Sequence, residues 1–219
     1  CPTTYTMPAR RRRQLLSMAK RHDFLIVEDD YEFEMNFLES PTPALKSQDV
    51  DGRVIYVGSL SKSVFPGLRL GYLVAPEHVI KQARALRHLI LRHPPGHAQR
   101  TLAYFMALGH YDAQIRRLRR HLAERRRGMQ QAMGTGPLFF QAAAPFGGTQ
   151  FLVHGPDWLD ARVLAQRAMA GGVLIEPGDV FFSSESAPLN YFRLSYSAIS
   201  TDRIAEGFKR LVKAVNSLV

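Results

Sequence analysis

The sequence predicts an α/β fold with a largely parallel sheet, and three observations predict it. Segments with helical apolar spacing are followed by short apolar runs, an order that layers helices on parallel strands. The run Phe24–Val27 ends in Glu28-Asp29-Asp30-Tyr31. Carboxylates and a phenol therefore stand at a strand's C-terminal end, where open α/β sheets take ligands. The β-type run Arg53–Val57 leads into Gly58-Ser59-Leu60-Ser61-Lys62, and a second apolar run, Leu70–Val74, leaves the loop that carries the lysine.

In chain order, Met7–His22 reads as a helix with Leu15, Leu16 and Ala19 on one face and arginines opposite. Asp23 breaks it before the first strand. Residues 33–52 are loop-like, punctuated by Ser40-Pro41-Thr42-Pro43 and Asp49-Val50-Asp51-Gly52. From Pro76, the spacing of Val79, Ile80, Ala83, Leu86 and Ile90 predicts a helix ending before His93-Pro94-Pro95-Gly96. A second helix runs from His97 to Leu108. A long one starts at Gly109-His110-Tyr111-Asp112, with Asp112 as its N-cap and Ile115, Leu118, Leu122 and Met129 as its apolar stripe. Residues 134–148 read as irregular. Thr149–Val153 reads as a strand, and Leu159–Ala170 as a helix stopped by Gly171-Gly172. Val173–Ile175 reads as a short strand and Asn190–Ser195 as another. Thr201–Val215 closes the chain as a helix, with Ile204, Phe208, Leu211 and Val215 on one face.

At 219 residues the chain has room for one large or two small domains, and its 46% hydrophobic content is ordinary for a globular protein. No apolar run reaches the ~18 residues of a membrane span. The first residue is a cysteine and no signal-peptide pattern follows it, so a fragment of a longer protein is expected. A single cysteine excludes an intrachain disulfide and suits a reducing cytoplasm. The net charge of +10 lies partly in Arg10–Arg13, in Arg116-Arg117-Leu118-Arg119-Arg120 and in Arg125–Arg127. Nucleic-acid contact and solvated helix faces both account for these clusters. The second is favoured, because each sits in a helical pattern without interleaved aromatic residues for base stacking.

The chemistry gathers on two segments. A lysine on a short loop between two buried strands is held near the core, and a desolvated lysine loses its proton and becomes nucleophilic more readily. Ser59, Ser61 and Arg69 offer hydroxyls and a permanent guanidinium to a phosphate. A polar loop with an incidental lysine is the competing account. Asp29, Asp30 and Tyr31 add carboxylates and a phenol. Pyridoxal phosphate needs this set: a lysine for its aldehyde, a carboxylate for its pyridine nitrogen, a phenol near its ring oxygen and a phosphate cup. Asp29 and Asp30 also suit a metal, but no histidine or cysteine partners lie nearby, so metal binding is disfavoured. Glu32 and Glu34 are read as structural. Arg193, in a strand of aromatic and apolar neighbours, needs an anionic partner, either a protein carboxylate or a ligand's acid group.

Three segments, Val27-Glu28-Asp29-Asp30-Tyr31-Glu32-Phe33-Glu34, Arg53–Lys62 and Phe65-Pro66-Gly67-Leu68-Arg69-Leu70-Gly71-Tyr72, together with Phe192–Ser197, resemble the fold-type I pyridoxal-phosphate proteins. They are most similar to the aminotransferase-like domain of the MocR subfamily of GntR-type transcription regulators. The resemblance covers essentially the whole chain. It implies a fragment of a fold-type I transferase: residues 1–110 as the C-terminal half of the large cofactor domain, and residues 111–219 as a linking helix and a smaller C-terminal α+β domain. It implies that Lys62 forms the Schiff base, Asp29 pairs with the pyridine nitrogen and Tyr31 bonds the ring hydroxyl. Ser59, Ser61 and Arg69 would hold the phosphate, and Arg193 the carboxylate of an amino-acid ligand. The family's Pro-Thr-Gly-like turn is replaced by Pro2-Thr3-Thr4, which threonine suits less well where φ is positive.

Three functions follow. The first is an effector domain that senses an amino acid or amine condensed with the cofactor, in a cytoplasmic homodimer that binds DNA through an N-terminal winged helix-turn-helix domain. The second is an aminotransferase in which Lys62 shuttles a proton. The third is a cofactor-free basic module that binds nucleic acid directly. The first is favoured.

Overall fold

The computed structural model describes residues 3, 5–37, 42–134, 141–143, 147–184 and 186–218, with 141–143 described by their backbone. Cys1, the ends of the Pro2-Thr3-Thr4 turn and Ser40-Pro41 lie outside the described residues. The chain divides into two compact units; the main division falls between Arg119 and Arg120, and Tyr5, Thr6 and Phe37 group with the second unit.

In the first unit, three strands form a sheet in sequence order: β1 (Ile26–Asp30), β2 (Val54–Ser59) and β3 (Gly71–Val74). β1 and β2 are parallel, with Ile26 beside Val54 and Asp30 beside Gly58. β3 returns antiparallel, with Gly71 opposite Ser59. These three strands therefore include one parallel and one antiparallel pairing. A parallel return needs a crossover of a dozen or more residues, usually helical, and the lysine loop is too short for that.

The helices of this unit follow the apolar spacing. They are α1 (Ala9–Arg21), α2 (Glu77–Leu91), α3 (Gly96–Ala107) and the start of α4 (His110–Gly134). Pro8, Pro76 and Pro95 each stand directly before a helix, where a missing N–H costs nothing. Asp112 lies inside the first turn of α4 and is not its N-cap. There its charge complements the positive end of the helix dipole. The segment from 33 to 52 is less irregular than expected, because it holds the 3-10 turns Phe33–Met35 and Leu45–Gln48.

The second unit carries an antiparallel sheet of order β4-β5-β7-β6, made of β4 (Gln141–Ala143), β5 (Gln150–His154), β6 (Glu176–Pro177) and β7 (Tyr191–Ser195). The helices α5 (Ala161–Ala170) and α6 (Thr201–Asn216) complete it. β4 falls within the stretch expected to be irregular. The strand expected at Val173–Ile175 lies instead at β6, because pairing with β7 decides its place: Glu176 faces Arg193, and the Gly178 N–H donates to the Tyr191 carbonyl at 2.7 Å. Phe151, Phe192, Tyr196, Leu164, Leu211 and Val215 are fully buried and form this unit's core. Each such side chain contributes about 1.5–3 kcal/mol by leaving water. Tyr196 satisfies its hydroxyl by donating to the Gly148 carbonyl at 2.7 Å. Asp160 caps α5 by accepting the Arg162 N–H at 2.9 Å, and Gly172 takes the left-handed conformation that stops the helix.

Candidate functional site

The C-terminal ends of β1 and β2 lie side by side, and the N-terminal end of β3 joins them. Neighbouring strands sit ~4.8 Å apart. Asp29 and Tyr31 at the end of β1, Ser59 at the end of β2, and Arg69 just before β3 therefore share one edge of the sheet. Lys62 and Ser61 occupy the loop between β2 and β3 at that same edge. The loop is closed at its base, where the Leu60 N–H donates to the Leu70 carbonyl at 3.0 Å. Inside it, the Val64 N–H donates to the Leu60 carbonyl at 3.0 Å, a single helical turn around Lys62. Ser59 Oγ accepts the Ser61 N–H at 3.3 Å. Leu60 and Ser63 are buried while Lys62 is exposed, so its apolar and small neighbours anchor a loop that presents the ammonium outward.

Arg69 has φ 50, a left-handed backbone on a non-glycine residue. Such a conformation costs about 1–3 kcal/mol and persists where the surroundings over-determine it, typically at functional sites. The adjoining bond between Leu60 and Leu70 holds it here. Gly71, the next residue but one, is required: a Cβ there would stand 2.7 Å from the Gly58 carbonyl oxygen. Among the described residues none forms an ion pair with Asp29, Lys62 or Arg69. One carboxylate, two cations, two serine hydroxyls and one phenol thus meet at one sheet edge.

The alternation of β1 separates its acidic residues by face. Asp29 is on the exposed face with Val27, and Glu28 and Asp30 are on the other. Glu28 is structural, accepting the Leu45 and Lys46 N–H groups at 2.6 and 2.8 Å, with Arg12 at 3.6 Å. Asp30 accepts the Tyr56 hydroxyl at 3.3 Å. Burial pushes the Asp30 carboxyl up, the Glu28 charge adds to the rise, and the Tyr56 bond offsets only part of it. Tyr56 is itself raised, first by burial. Glu34 accepts the Tyr111 hydroxyl at 2.8 Å and its backbone carbonyl takes Arg119 Nε at 2.9 Å, which ties the segment after β1 to α4. Burial, then that bond to Glu34, raises Tyr111 to about 12.

In the second unit, Arg193 has a protein carboxylate partner. Its guanidinium pairs with Glu176, directly across from it on β6, and lies 5.9 Å from the centre of the Phe181 ring. Sequence reasoning did not single out Glu176, because the pairing depends on strand register.

The arginine clusters are not simply solvated faces. Arg12 donates to the Pro43 carbonyl, Arg125 to that of Ser197, and buried Arg126 to that of Gly147 at 3.1 Å. The Arg126 guanidinium also lies 4.9 Å from the centre of the Phe151 ring. These cations hold the fold together. Arg10, Arg11, Arg13, Arg116, Arg117 and Arg120 remain exposed.

The chain is similar to transcription regulators and to aminotransferases. The chain is 51% identical to the HTH-type transcriptional regulator TauR of Rhodobacter capsulatus over 98% of its own length and 44% of the relative's. It is 32% identical to the probable rhizopine catabolism regulatory protein MocR of Rhizobium meliloti, over 94% of the chain and 42% of that protein. Among solved structures, the kynurenine aminotransferase of Pyrococcus horikoshii matches all of the chain and 54% of its own, with a TM-score of 0.91 at 30% identity. The chain thus spans about half the length of the relatives it matches. A model of the family described as aminotransferase class I and II matches residues 2–211, and with its strand ends and lysine loop the chain belongs to that family.

Proposed function

We propose that this chain is the pyridoxal-phosphate-binding effector domain of a MocR-type transcription regulator, and that its ligand is an amino acid or amine. The observation that carries the reading is the meeting of Asp29, Tyr31, Ser59, Ser61, Lys62 and Arg69 at one sheet edge. That donor set fits the group. Lys62 Nζ would hold its aldehyde carbon, and Asp29, on the exposed face of β1, its pyridine nitrogen. Tyr31 would bond the ring hydroxyl, and the hydroxyls of Ser59 and Ser61 with the Arg69 guanidinium would hold the phosphate. The bound cofactor supplies an electron-accepting ring. Asp29 contributes by keeping a proton on the pyridine nitrogen, because an adjacent carboxylate favours the charged form. Arg193 would take the ligand's acid group.

Regulation would follow from unequal ligand affinity for two states of the full-length protein, a cytoplasmic homodimer binding DNA through a winged helix-turn-helix domain. The 51% identity to a named regulator favours this over catalysis. The structural likeness to an aminotransferase supports the second reading, in which Lys62 Nζ moves a proton at the substrate carbon.

The test separates the two faces of β1. In the full-length protein, Asp29→Ala and Arg69→Ala should each weaken pyridoxal phosphate binding at least tenfold by absorbance titration, and Asp30→Asn should leave it unchanged. Equal losses at Asp29 and Asp30 contradict the site. Amino-group transfer from the ligand to 2-oxoglutarate at enzyme-like rates favours the second reading.

A further inference from the structure

Arg193 is already neutralised. Glu176 stands opposite it in register on β6 and pairs with its guanidinium, and the Phe181 ring lies beside them. The two side chains are 32% and 41% exposed, although Glu176 Oε2, the oxygen that meets Arg193, is itself buried. An ion pair between side chains that exposed contributes little to folding. Its effect on a ligand is larger in kind, because an incoming acid must compete with a carboxylate already paired with one of the guanidinium nitrogens.

The setting of Glu176 makes displacement cheap. β6 is two residues long and, among the described residues, lies at the edge of its sheet with β7 alone beside it. The backbone beyond it is fixed separately. Gly178 packs against Tyr191 so closely that a Cβ would stand 2.8 Å from the Tyr191 carbonyl oxygen, and its N–H bonds that same oxygen. The side chain of Glu176 can therefore swing away without disturbing the turn.

We infer that Glu176 is a specificity-determining residue: an internal competitor that occupies Arg193 until an acid-bearing ligand replaces it. This rests on the proposed role of Arg193 toward the ligand's acid group. Glu176 lowers the affinity for amino acids and leaves simple amines untouched, so it narrows the protein's preference between those two classes. Removing its charge widens that preference.

The experiment uses the full-length protein loaded with pyridoxal phosphate and two probes of matched carbon skeleton, L-alanine and ethylamine. Each is titrated while the visible absorbance of the bound cofactor is followed. Glu176→Gln should bind L-alanine about two- to fivefold more tightly, the span that loss of a half-exposed ion pair allows, and ethylamine no differently. Glu176→Ala should do the same. No gain for L-alanine in either variant, or an equal gain for both probes, overturns the inference. Arg193→Ala separates the two levels. If it erases the preference for L-alanine while Glu176→Gln changes nothing, only the role of Glu176 fails. If it leaves that preference intact, the assignment of Arg193 fails and the inference with it. A wild type that answers to neither probe overturns the ligand class.

Discussion

Two helices with apolar spacing end in different surroundings. On α6, Ile204, Phe208, Leu211 and Val215 are all buried, with Leu211 at 0% exposure. On α2, no residue is buried, and Leu89 is 79% and Ile90 76% exposed. β3 shares the second condition, since Tyr72–Val74 are exposed, and so does Val27 on β1. Periodicity tells which face of an element seeks burial. Burial itself needs an opposing layer, and α6 has one in its own unit, with α5 and the sheet as its candidates.

The largest effect should appear at the closed core. Leu211→Ala should cost about 2–5 kcal/mol of stability by denaturant unfolding, because it leaves a cavity the packed core cannot refill. Leu89→Ala on α2 should stay within about 0.5 kcal/mol in this chain. A similar loss at both positions breaks the comparison.

What was legible divides along the same line. The helices were readable because an apolar stripe and its proline and glycine stops are local, as α1, α5 and α6 show. β4 and β6 were not, because Ala142 and Pro177 carry no strand signature and their places are set by partners far along the chain. The strand ends that frame the candidate site were legible because Asp29, Ser59 and Lys62 come within a few residues of the ends of apolar runs. What escaped was pairing at a distance. Glu176 with Arg193, and Arg126 with the Gly147 carbonyl, are decided by register and folding, and a carbonyl acceptor leaves no mark in a sequence.

Next in size is Asp49, whose carboxylate is 1% exposed and accepts the Arg53 and Val54 N–H groups at 2.9 and 2.8 Å and Lys46 Nζ at 2.9 Å. Burial raises its pKa, but those bonds outweigh it and the net shift is downward. Its stabilising contribution is therefore present above the ordinary carboxylate value of ~3.9 and is lost as pH falls through its lower folded value. Asp49→Ala should cost about 1–3 kcal/mol at pH 7, by leaving two N–H groups unbonded. A cost that grew below pH 3 would contradict that sign.

A smaller effect of opposite sign is expected at Asp30. Its folded pKa is raised, so its contribution is complete below the ordinary value and is lost as pH rises through the folded one. Asp30→Asn keeps an acceptor for Tyr56 and removes the buried charge, and thermal melting at pH 7 should show a variant as stable as the wild type or slightly more so. The smallest effect belongs to Asp160, held at about 2 by its bonds to Arg162. Because that pair is well exposed, Asp160→Asn should shift stability by well under about 1 kcal/mol, and that shift should vanish as pH falls from ~3.9 toward 2.

The claim on which the rest depends is that Lys62 joins the cofactor. The direct measurement is the visible absorbance of the full-length protein purified with pyridoxal phosphate, compared with that of Lys62→Ala. The site described here predicts a yellow band in the wild type that borohydride fixes to the peptide containing Lys62, and no such band in the variant. A variant that keeps the band, or a label on another lysine, would contradict it.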